Sequence, residues 1–266
     1  MVKLNRIIEA INRLAPMELA ESWDRVGLQV GRSESEVKKV LIALDLNSSV
    51  LAEGRQHQVD GYIVHHPLIF KPLTSIIPGT YQGSLLTDLI KNDRFLLAAH
   101  TNLDNAERGI NRYLADLLGL TGTGPIIPIQ DSSRHGTGRI GTLPRAVRLD
   151  DFCKLVKQKL DAAQLKVTGS PETEIRQIAI CSGSGGSFVA DVLRQGADLY
   201  LTGEMNYHDC WEARERGLAV IEAGHWTTEH CFIPLMADYL ERELAGDTGF
   251  EPVRSRAGAG EPYRMI

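Results

Sequence analysis

The chain has few cysteines, and none are spaced for metal binding or redox chemistry. Four cysteines occur in 266 residues, and no two of them form a C-x-x-C pair. Structural zinc sites and thioredoxin-like motifs require such close spacing, so neither is indicated. Because their contexts are mostly apolar, we expect reduced thiols that pack inside a cytosolic protein, at Cys153, Cys181, Cys210 and Cys231.

The sequence also lacks a long apolar run. A helix that spans a bilayer needs about 18 or more apolar residues, and no segment of this chain comes near that length. The first fourteen residues are interrupted by Lys3, Arg6 and Glu9, unlike the apolar part of a secretion signal. We therefore expect a soluble, cytoplasmic protein with no membrane partner.

An excess of positive charge is absent as well. The formal net charge is -5, which argues against broad nonspecific binding to nucleic acid. What the chain does contain is an ordinary globular composition, with 43% hydrophobic and 24% charged residues. Its length suits two modest domains or one large one.

Apolar patterning predicts alternating strands and helices. Leu4 to Leu14 shows helical spacing, and Pro16 should end that helix. Uninterrupted apolar runs are typical of strands buried in parallel sheets, so the alternation predicts an α/β fold with helices outside the sheets. The predicted strands are 40–46, 61–64, 95–99, 175–181, 197–202 and 218–221.

Two adjacent histidines, His65 and His66, follow one of these strands, and Pro67 comes directly after them. On a continuing strand the two rings would point apart. The proline favours an end to the strand here, so that both rings project beyond its carboxyl end. They could bind one cation, or one each of two cations about 3.5–4 Å apart. The alternative is a histidine pair in a surface loop.

Other ligand types follow other predicted strands. The clusters are His100 with Asp104, Glu204 with His208, and His225 with Glu229. Each has a structural alternative, since Asp104 and Glu107, for example, match a helix capping box. However, ligands gather at the carboxyl ends of strands in open α/β sheets, so the clusters together predict a metal site. Imidazoles and carboxylates without thiolate suit Zn, Mn, Fe, Co or Ni.

Two further motifs are ambiguous. The glycine-rich turn 182–187 joins a strand to a helix, where amides can bind phosphate. It lacks the lysine and spacing of a P-loop and does not match the dinucleotide fingerprint, so a tight turn is the favoured interpretation. For Trp23 and Asp24 we favour a packed ring beside a hydrogen-bonded carboxylate.

Several motifs carry a resemblance to a known family. They are WDRVGLQVG (23–31), VHHPLIF (64–70), AAHTNLDNAERGIN (98–111), TGEMNYHD (202–209) and EAGHWTTE (222–229). In this order they resemble the Nif-three-like dinuclear metal-centre proteins, also known as GTP cyclohydrolase 1 type 2 homologues. The similarity runs from about Leu4 to Tyr239. Arg25 departs from the asparagine often found there, and the C-terminal tail is only loosely similar.

The resemblance implies a fold and an assembly. The fold is α/β, with two intertwined domains, mainly parallel sheets and a metal site in the cleft between the domains. The first domain would comprise 1–124 and 230–266, and the second 125–229; a Gly-, Pro-, Ser- and Thr-rich stretch at 121–138 marks the boundary. The family also implies a toroidal homohexamer with two metal ions per subunit.

The resemblance further implies roles for individual residues. His65 and His66 would bind different metals, Asp104 one of them and His225 the other, and Glu229 would bridge. This makes Asp104 a ligand rather than a helix cap. The residues implied to support the ligands or to act as acid or base are His100, Glu204 and His208.

Three functions remain open on the sequence. The first is metal-assisted hydrolysis of the cyclohydrolase kind, in which GTP is opened at guanine C8 and formate is released. The second is phosphoester hydrolysis, with the glycine-rich turn holding a phosphate. The third is a ring-forming binding or scaffold protein with structural metals. A nucleotide or another small molecule is the expected substrate of the first two.

Overall fold

The computed structural model describes residues 1–263 and contains alternating strands and helices. In chain order the strands are β1 (Val2–Lys3), β2 (Gly27–Val30), β3 (Glu36–Val37), β4 (Lys39–Ala43), β5 (Gly61–Val64), β6 (Phe95–Ala98), β7 (Thr121–Gly124), β8 (Ile127–Pro128), β9 (Gly136–Thr137), β10 (Arg139–Arg148), β11 (Lys166–Thr168), β12 (Glu174–Ser184), β13 (Leu199–Glu204), β14 (Ala219–Glu222) and β15 (Glu251–Arg254). The α-helices are α1 (Leu4–Leu14), α2 (Ser48–His57), α3 (Tyr81–Lys91), α4 (Thr101–Asn105), α5 (Ile110–Leu117), α6 (Leu149–Leu160), α7 (Val189–Arg194), α8 (Tyr207–Glu215), α9 (His225–Glu229) and α10 (Phe232–Glu243).

The chain forms two compact units. One comprises Met1–Leu103 and Cys231–Ala259, and the other comprises Asp104–His230 and the described residues from Gly260 onward. The two domains expected from the sequence, with boundaries near residues 124 and 230, remain a prediction. The last three residues of the expected first domain, 264–266, lie outside the described residues.

The first unit is built on a mainly parallel sheet. Its described strand order is β15-β4-β5-β6-β2, in which only β2 runs antiparallel to its neighbour. The strands β4, β5 and β6 are buried on both faces, as expected of parallel strands with continuous apolar runs. The segment 27–30, which is not among the predicted strands, is the edge strand β2. Its four residues are all half-buried, so they show no clear apolar pattern.

The second unit contains a mixed sheet. Its described order is β11-β14-β13-β12-β10-β7, and only the central strands β12, β13 and β14 are mutually parallel. These three are the strands that the apolar runs predicted. The antiparallel strand β10 was not predicted, because exposed polar residues interrupt its apolar pattern. The α/β fold class is thus confirmed.

Local sequence signals set the helix boundaries near the ligands. Asn47 caps α2 by accepting a hydrogen bond from the Val50 amide at 3.0 Å. Pro234 lies in the first turn of α10, where its missing amide costs no helical hydrogen bond. Among the described residues, no helix has the length and apolarity needed to cross a membrane.

Candidate metal centre

Three histidines at the carboxyl ends of β5 and β6 form the donor group of the first unit. The two strands are parallel neighbours, so the residues that follow them meet at one edge of the sheet. His65, His66 and His100 each offer a ring nitrogen, and these atoms lie within 4.8 Å of one another. Their spacing is compatible with ligands that share a cation at about 2.0–2.1 Å.

Each of these rings is held through its Nδ1 atom by an oxygen. The pairs are His65 with the Ala99 carbonyl (2.8 Å), His66 with Asp45 Oδ1 (2.9 Å) and His100 with Asp24 Oδ2 (2.9 Å). A neutral imidazole that donates its Nδ1 proton has its lone pair at Nε2. Histidines that bind metals usually have such a partner, so all three rings are prepared to ligate through Nε2.

Asp24 is the buried carboxylate that orients His100. It also accepts hydrogen bonds from the amide (3.0 Å) and hydroxyl of Thr101. Burial raises its pKa, but the hydrogen bonds from His100 and Thr101 outweigh that effect and bring the pKa down to about 2. The hydrogen-bonded carboxylate agrees with the sequence interpretation. The packed ring does not, because Trp23 is 52% exposed.

In the second unit, the single-turn helix α9 presents His225 and Glu229 on one side. They are four residues apart, so their side chains lie over each other, and His225 Nε2 is 3.0 Å from Glu229 Oε2. His225 Nδ1 lies 3.1 Å from Glu204 Oε1 at the end of β13. This imidazole therefore has the same arrangement as the three in the first unit, with Glu204 as the orienting carboxylate.

The glycine-rich turn leaves space for the Glu229 carboxylate because Gly183 has no side chain. Gly183 has a φ of +62°, and a Cβ atom there would lie 2.2 Å from Glu229 Oε1 and 3.4 Å from His225 Nε2. Any larger residue would displace the carboxylate. Three amides of the turn are already engaged, since Ser182 donates to Asn111, Gly183 to Thr228, and Gly185 to the Glu204 carbonyl. The positive φ and the crowding at Gly183 account for that glycine without a bound phosphate.

Asp104 lies within the short helix α4, whereas the N-cap of the next helix, α5, is Gly109. The capping-box alternative for Asp104 is therefore wrong, because the helix that it would cap begins too late in the chain. Burial first, and then the charges of Asp104 and Glu229, raise the pKa of the Cys181 thiol to about 12. The negative charges of both carboxylates therefore reach Cys181, near the end of β12. Because the thiol stays protonated, Cys181 is not a suitable metal ligand.

His208, which the sequence grouped with Glu204, lies on α8. It is exposed, and its ring meets Tyr207 edge-on at a centroid distance of 5.4 Å. Within residues 1–263, it belongs to neither of the groups whose donor atoms converge closely enough to share a cation.

Sequence reasoning missed Asp45, which orients His66. A signal was present, because Asp45 interrupts the apolar run 40–46 just after β4, and β4 pairs with β5 beside the histidines. The Ala99 carbonyl could not be found in this way, since any residue type supplies a backbone oxygen. The imidazoles and carboxylates of the donor groups, held by these partners, form a nitrogen and oxygen set that fits divalent transition metals.

The chain is similar to the members of one protein family. The model of the family Duf34/NIF3 (NGG1p interacting factor 3) matches residues 2–258. A "GTP cyclohydrolase 1 type 2 homolog" from Clostridium perfringens is 34% identical, with 100% of each chain covered. Another protein with that name, from Streptomyces coelicolor, is 35% identical over 94% of this chain and 90% of its own.

Solved structures share the fold. A Bacillus cereus protein related to NIF3 matches with a TM-score of 0.93 and 24% identity, over 100% of this chain and 99% of its own. A hypothetical protein from Staphylococcus aureus matches with a TM-score of 0.90 and 28% identity, over 99% of both chains. The chain belongs to the Duf34/NIF3 family.

Proposed function

We propose that this protein is a metal-dependent hydrolase whose two donor groups serve one pair of divalent cations. The ligands would be His65, His66, Asp104, His225 and Glu229, with Zn, Mn, Fe, Co or Ni as the metal. His100, whose ring nitrogen belongs to the same donor group as those of His65 and His66, would be a further ligand. The observation that supports this most strongly is that all four imidazoles have the same kind of hydrogen-bond partner. Each of the four rings in the donor groups has Nδ1 beside an oxygen, an arrangement typical of metal-ligating histidines.

The proposed reaction is of the cyclohydrolase kind that the names of the relatives suggest. We propose that GTP is opened at guanine C8 and formate is released, as the family resemblance implies. Bound cations would supply Lewis-acid activation of water. Asp24, Asp45 and Glu204 hold the imidazoles in the ligating tautomer. Glu204 is occupied by His225, so exposed His208 is the proposed donor of the proton that the departing ring nitrogen needs.

Product analysis tests this proposal. Purified protein loaded separately with each candidate metal is incubated with GTP, and formate and inorganic phosphate are measured. Formate supports the cyclohydrolase reaction. Phosphate without formate would replace it with phosphoester hydrolysis, and neither product with any metal would contradict the proposed GTP reaction.

Substitutions connect the reaction to the site. Because each removes a proposed ligand, His66→Ala and Glu229→Ala should abolish turnover while the far-UV circular dichroism spectrum stays unchanged. His57→Ala, which replaces an exposed histidine at the end of α2, is the matched control and should retain full activity. Full activity in the Glu229→Ala variant would remove the metal mechanism.

We also propose the homohexamer that the family resemblance implies. Light scattering coupled to size-exclusion chromatography should give about six times the chain mass of 29.3 kDa. A monomer or dimer at micromolar concentration would contradict the ring.

A further inference from the structure

Two large aromatic rings lie exposed beside the histidine group of the first unit. Trp23 is 52% exposed and Phe70 is 43% exposed. Their ring centroids are 5.7 Å apart and their planes are inclined by 58°, so neither ring covers the face of the other. Burying such rings would contribute about 1.5–3 kcal/mol each, and this chain leaves both partly in solvent.

The pair is fixed in place rather than carried on loose loops. The side chain of Gln29 donates to the carbonyls of Arg25 (3.0 Å) and Ile69 (3.1 Å) and accepts from the Ile69 amide (3.0 Å). It thereby joins the segment that carries Trp23 to the segment that carries Phe70. A prearranged aromatic surface binds a ligand at a lower entropic cost than a flexible one.

The aromatic pair is directly connected to the candidate metal ligands. The Trp23 ring meets His100 edge-on, at a centroid distance of 6.2 Å and an angle of 71°. Asp24, the next residue, holds Nδ1 of the same His100. A ring stacked on Trp23 would therefore lie beside the group from which the hydrolytic chemistry is proposed to act.

Each ring is followed closely in the sequence by an exposed cation. Arg25 lies two residues after Trp23, and Lys71 comes directly after Phe70. Arg25 donates to the Asp24 carbonyl, and within the described part of the chain neither cation forms an ion pair. A surface of two rings and two cations favours a planar ligand that carries an anionic group.

We propose that Trp23 and Phe70 bind the aromatic ring of the substrate, and that Arg25 and Lys71 bind its phosphate. The ligand class is a heteroaromatic ring linked to a phosphate, as in a nucleoside monophosphate. The placement of this ligand at the reacting centre rests on the proposed function, whereas its binding to these four residues does not.

Equilibrium binding tests the assignment. Calorimetric titrations use the full chain, with and without added zinc, and GMP, guanosine and ribose 5-phosphate as probes. Base stacking on an aromatic side chain accounts for about tenfold in affinity, so Trp23→Ala should weaken GMP and guanosine by about tenfold and leave ribose 5-phosphate unchanged. Trp23→Phe should retain most of the affinity. The double variant Arg25→Ala/Lys71→Ala should weaken the binding of GMP and leave the binding of guanosine, which has no phosphate, unchanged.

A matched control is available on α8. Trp211 is 42% exposed and lies under the guanidinium of Arg214, so Trp211→Ala removes a similar ring from the second unit, which contains neither Trp23 nor Phe70. It should leave GMP affinity unchanged. Equal GMP affinity in the Trp23→Ala, Trp211→Ala and unaltered proteins would overturn the proposal.

Two measurements separate this proposal from its alternatives. If Trp23 instead packs against a second copy of the chain, Trp23→Ala will reduce the oligomer mass without changing GMP affinity, which would also overturn the assignment. Metal content, measured on the same samples, reports on the proposed function independently. Loss of GMP binding with normal metal content assigns the effect to the aromatic surface.

Discussion

At the scale of single residues, the centre depends on carboxylates that never touch the metal in the proposed arrangement. Asp24 is the clearest case, since it is buried, ionised and bonded to His100 Nδ1. An asparagine has nearly the same shape but lacks the charge that stabilises the ligating tautomer.

Asp24→Asn should therefore lower metal affinity by about 10- to 100-fold. Competition with a chromophoric chelator measures the dissociation constant. The control is Asp93→Asn, which alters an exposed carboxylate paired with exposed Arg32 and should leave the constant unchanged. If both variants bind metal like the unaltered protein, Asp24 does not support a metal ligand.

Gly183 provides a second residue-scale test. An alanine Cβ would collide with Glu229 Oε1, so Gly183→Ala should reduce metal content as well as stability. Gly122→Ala is matched, because Gly122 has the same φ of +62° and nothing within 4 Å of its Cβ position. Both variants should lose about 1–2 kcal/mol from the left-handed backbone, but only Gly183→Ala should lose metal, as measured by elemental analysis. Equal metal content in the two would contradict a role for the turn in positioning Glu229.

Sequence reasoning at this scale identified the histidines and, through the family resemblance, Glu204, which lies against His225, but it did not identify Asp24 and Asp45 as partners of His100 and His66. His65 and His66 were visible because they follow an apolar run and precede a proline. Asp24 is 76 residues from His100 and Asp45 is 21 residues from His66. Such pairs depend on which strands become neighbours, which no local pattern specifies.

At the scale of secondary-structure elements, a buried arginine fastens β10 to the chain that follows Asp104. The side chain of Arg139 is among the largest that are fully buried, and burial lowers its pKa to about 10. Its guanidinium donates to the carbonyls of Gly136 (2.8 Å), Gly138 (2.6 Å), Ala106 (2.5 Å) and Arg134 (3.1 Å). The charge is thus solvated by backbone oxygens instead of water.

Arg139→Met should lower the free energy of unfolding by about 3 kcal/mol, because several buried carbonyls lose their donor together. Urea denaturation measures this change. Arg148→Met, on the same strand, removes an arginine that pairs with Glu172 at the surface, and it should cost less than about 1 kcal/mol. Similar losses in both variants would contradict the structural role of the buried guanidinium.

Glu53 on α2 links this helix to the segment after β15. It accepts hydrogen bonds from the Ser255 hydroxyl and from the amides of Arg256 and Ala257. Burial raises its pKa, but these hydrogen bonds outweigh that effect and lower it below its ordinary value of 4.5. The contribution to stability is therefore fully present above about pH 4.5 and is lost as the pH falls below it.

Glu53→Gln should reduce the free energy of unfolding by about 1 kcal/mol at pH 7, and the difference from the unaltered protein should shrink as the pH approaches 3. Urea midpoints at pH 7, 4.5 and 3 test this dependence. Glu18→Gln, at an exposed carboxylate, should show no such trend. A constant difference across this range would exclude ionised Glu53 as its source.

Element types were predictable wherever the apolar pattern was continuous. The strands β4, β5, β6, β12, β13 and β14 all follow from buried runs. The edge strands β2 and β7 did not, because short, partly exposed strands contain glycine and polar residues. Their pairing is decided by contacts with the neighbouring strand.

At the scale of the whole molecule, the two units follow one rule. In each, parallel strands bring polar residues from distant parts of the sequence to their carboxyl ends. The first unit contributes imidazoles, and the second contributes one imidazole with carboxylates. The family could be recognised from sequence because its motifs are these strand ends.

The central claim is our proposal that this chain binds two divalent cations through the ligands named above. Elemental analysis of protein purified without a metal-affinity tag, then equilibrated with zinc or manganese and dialysed, tests it most directly. Two ions per chain are expected in the unaltered protein and in a His208→Ala control, with fewer than one in a His66→Ala/Glu229→Ala double variant. Retention of fewer than about 0.2 ions per chain by the unaltered protein, or of equal amounts by the double variant, would contradict the account.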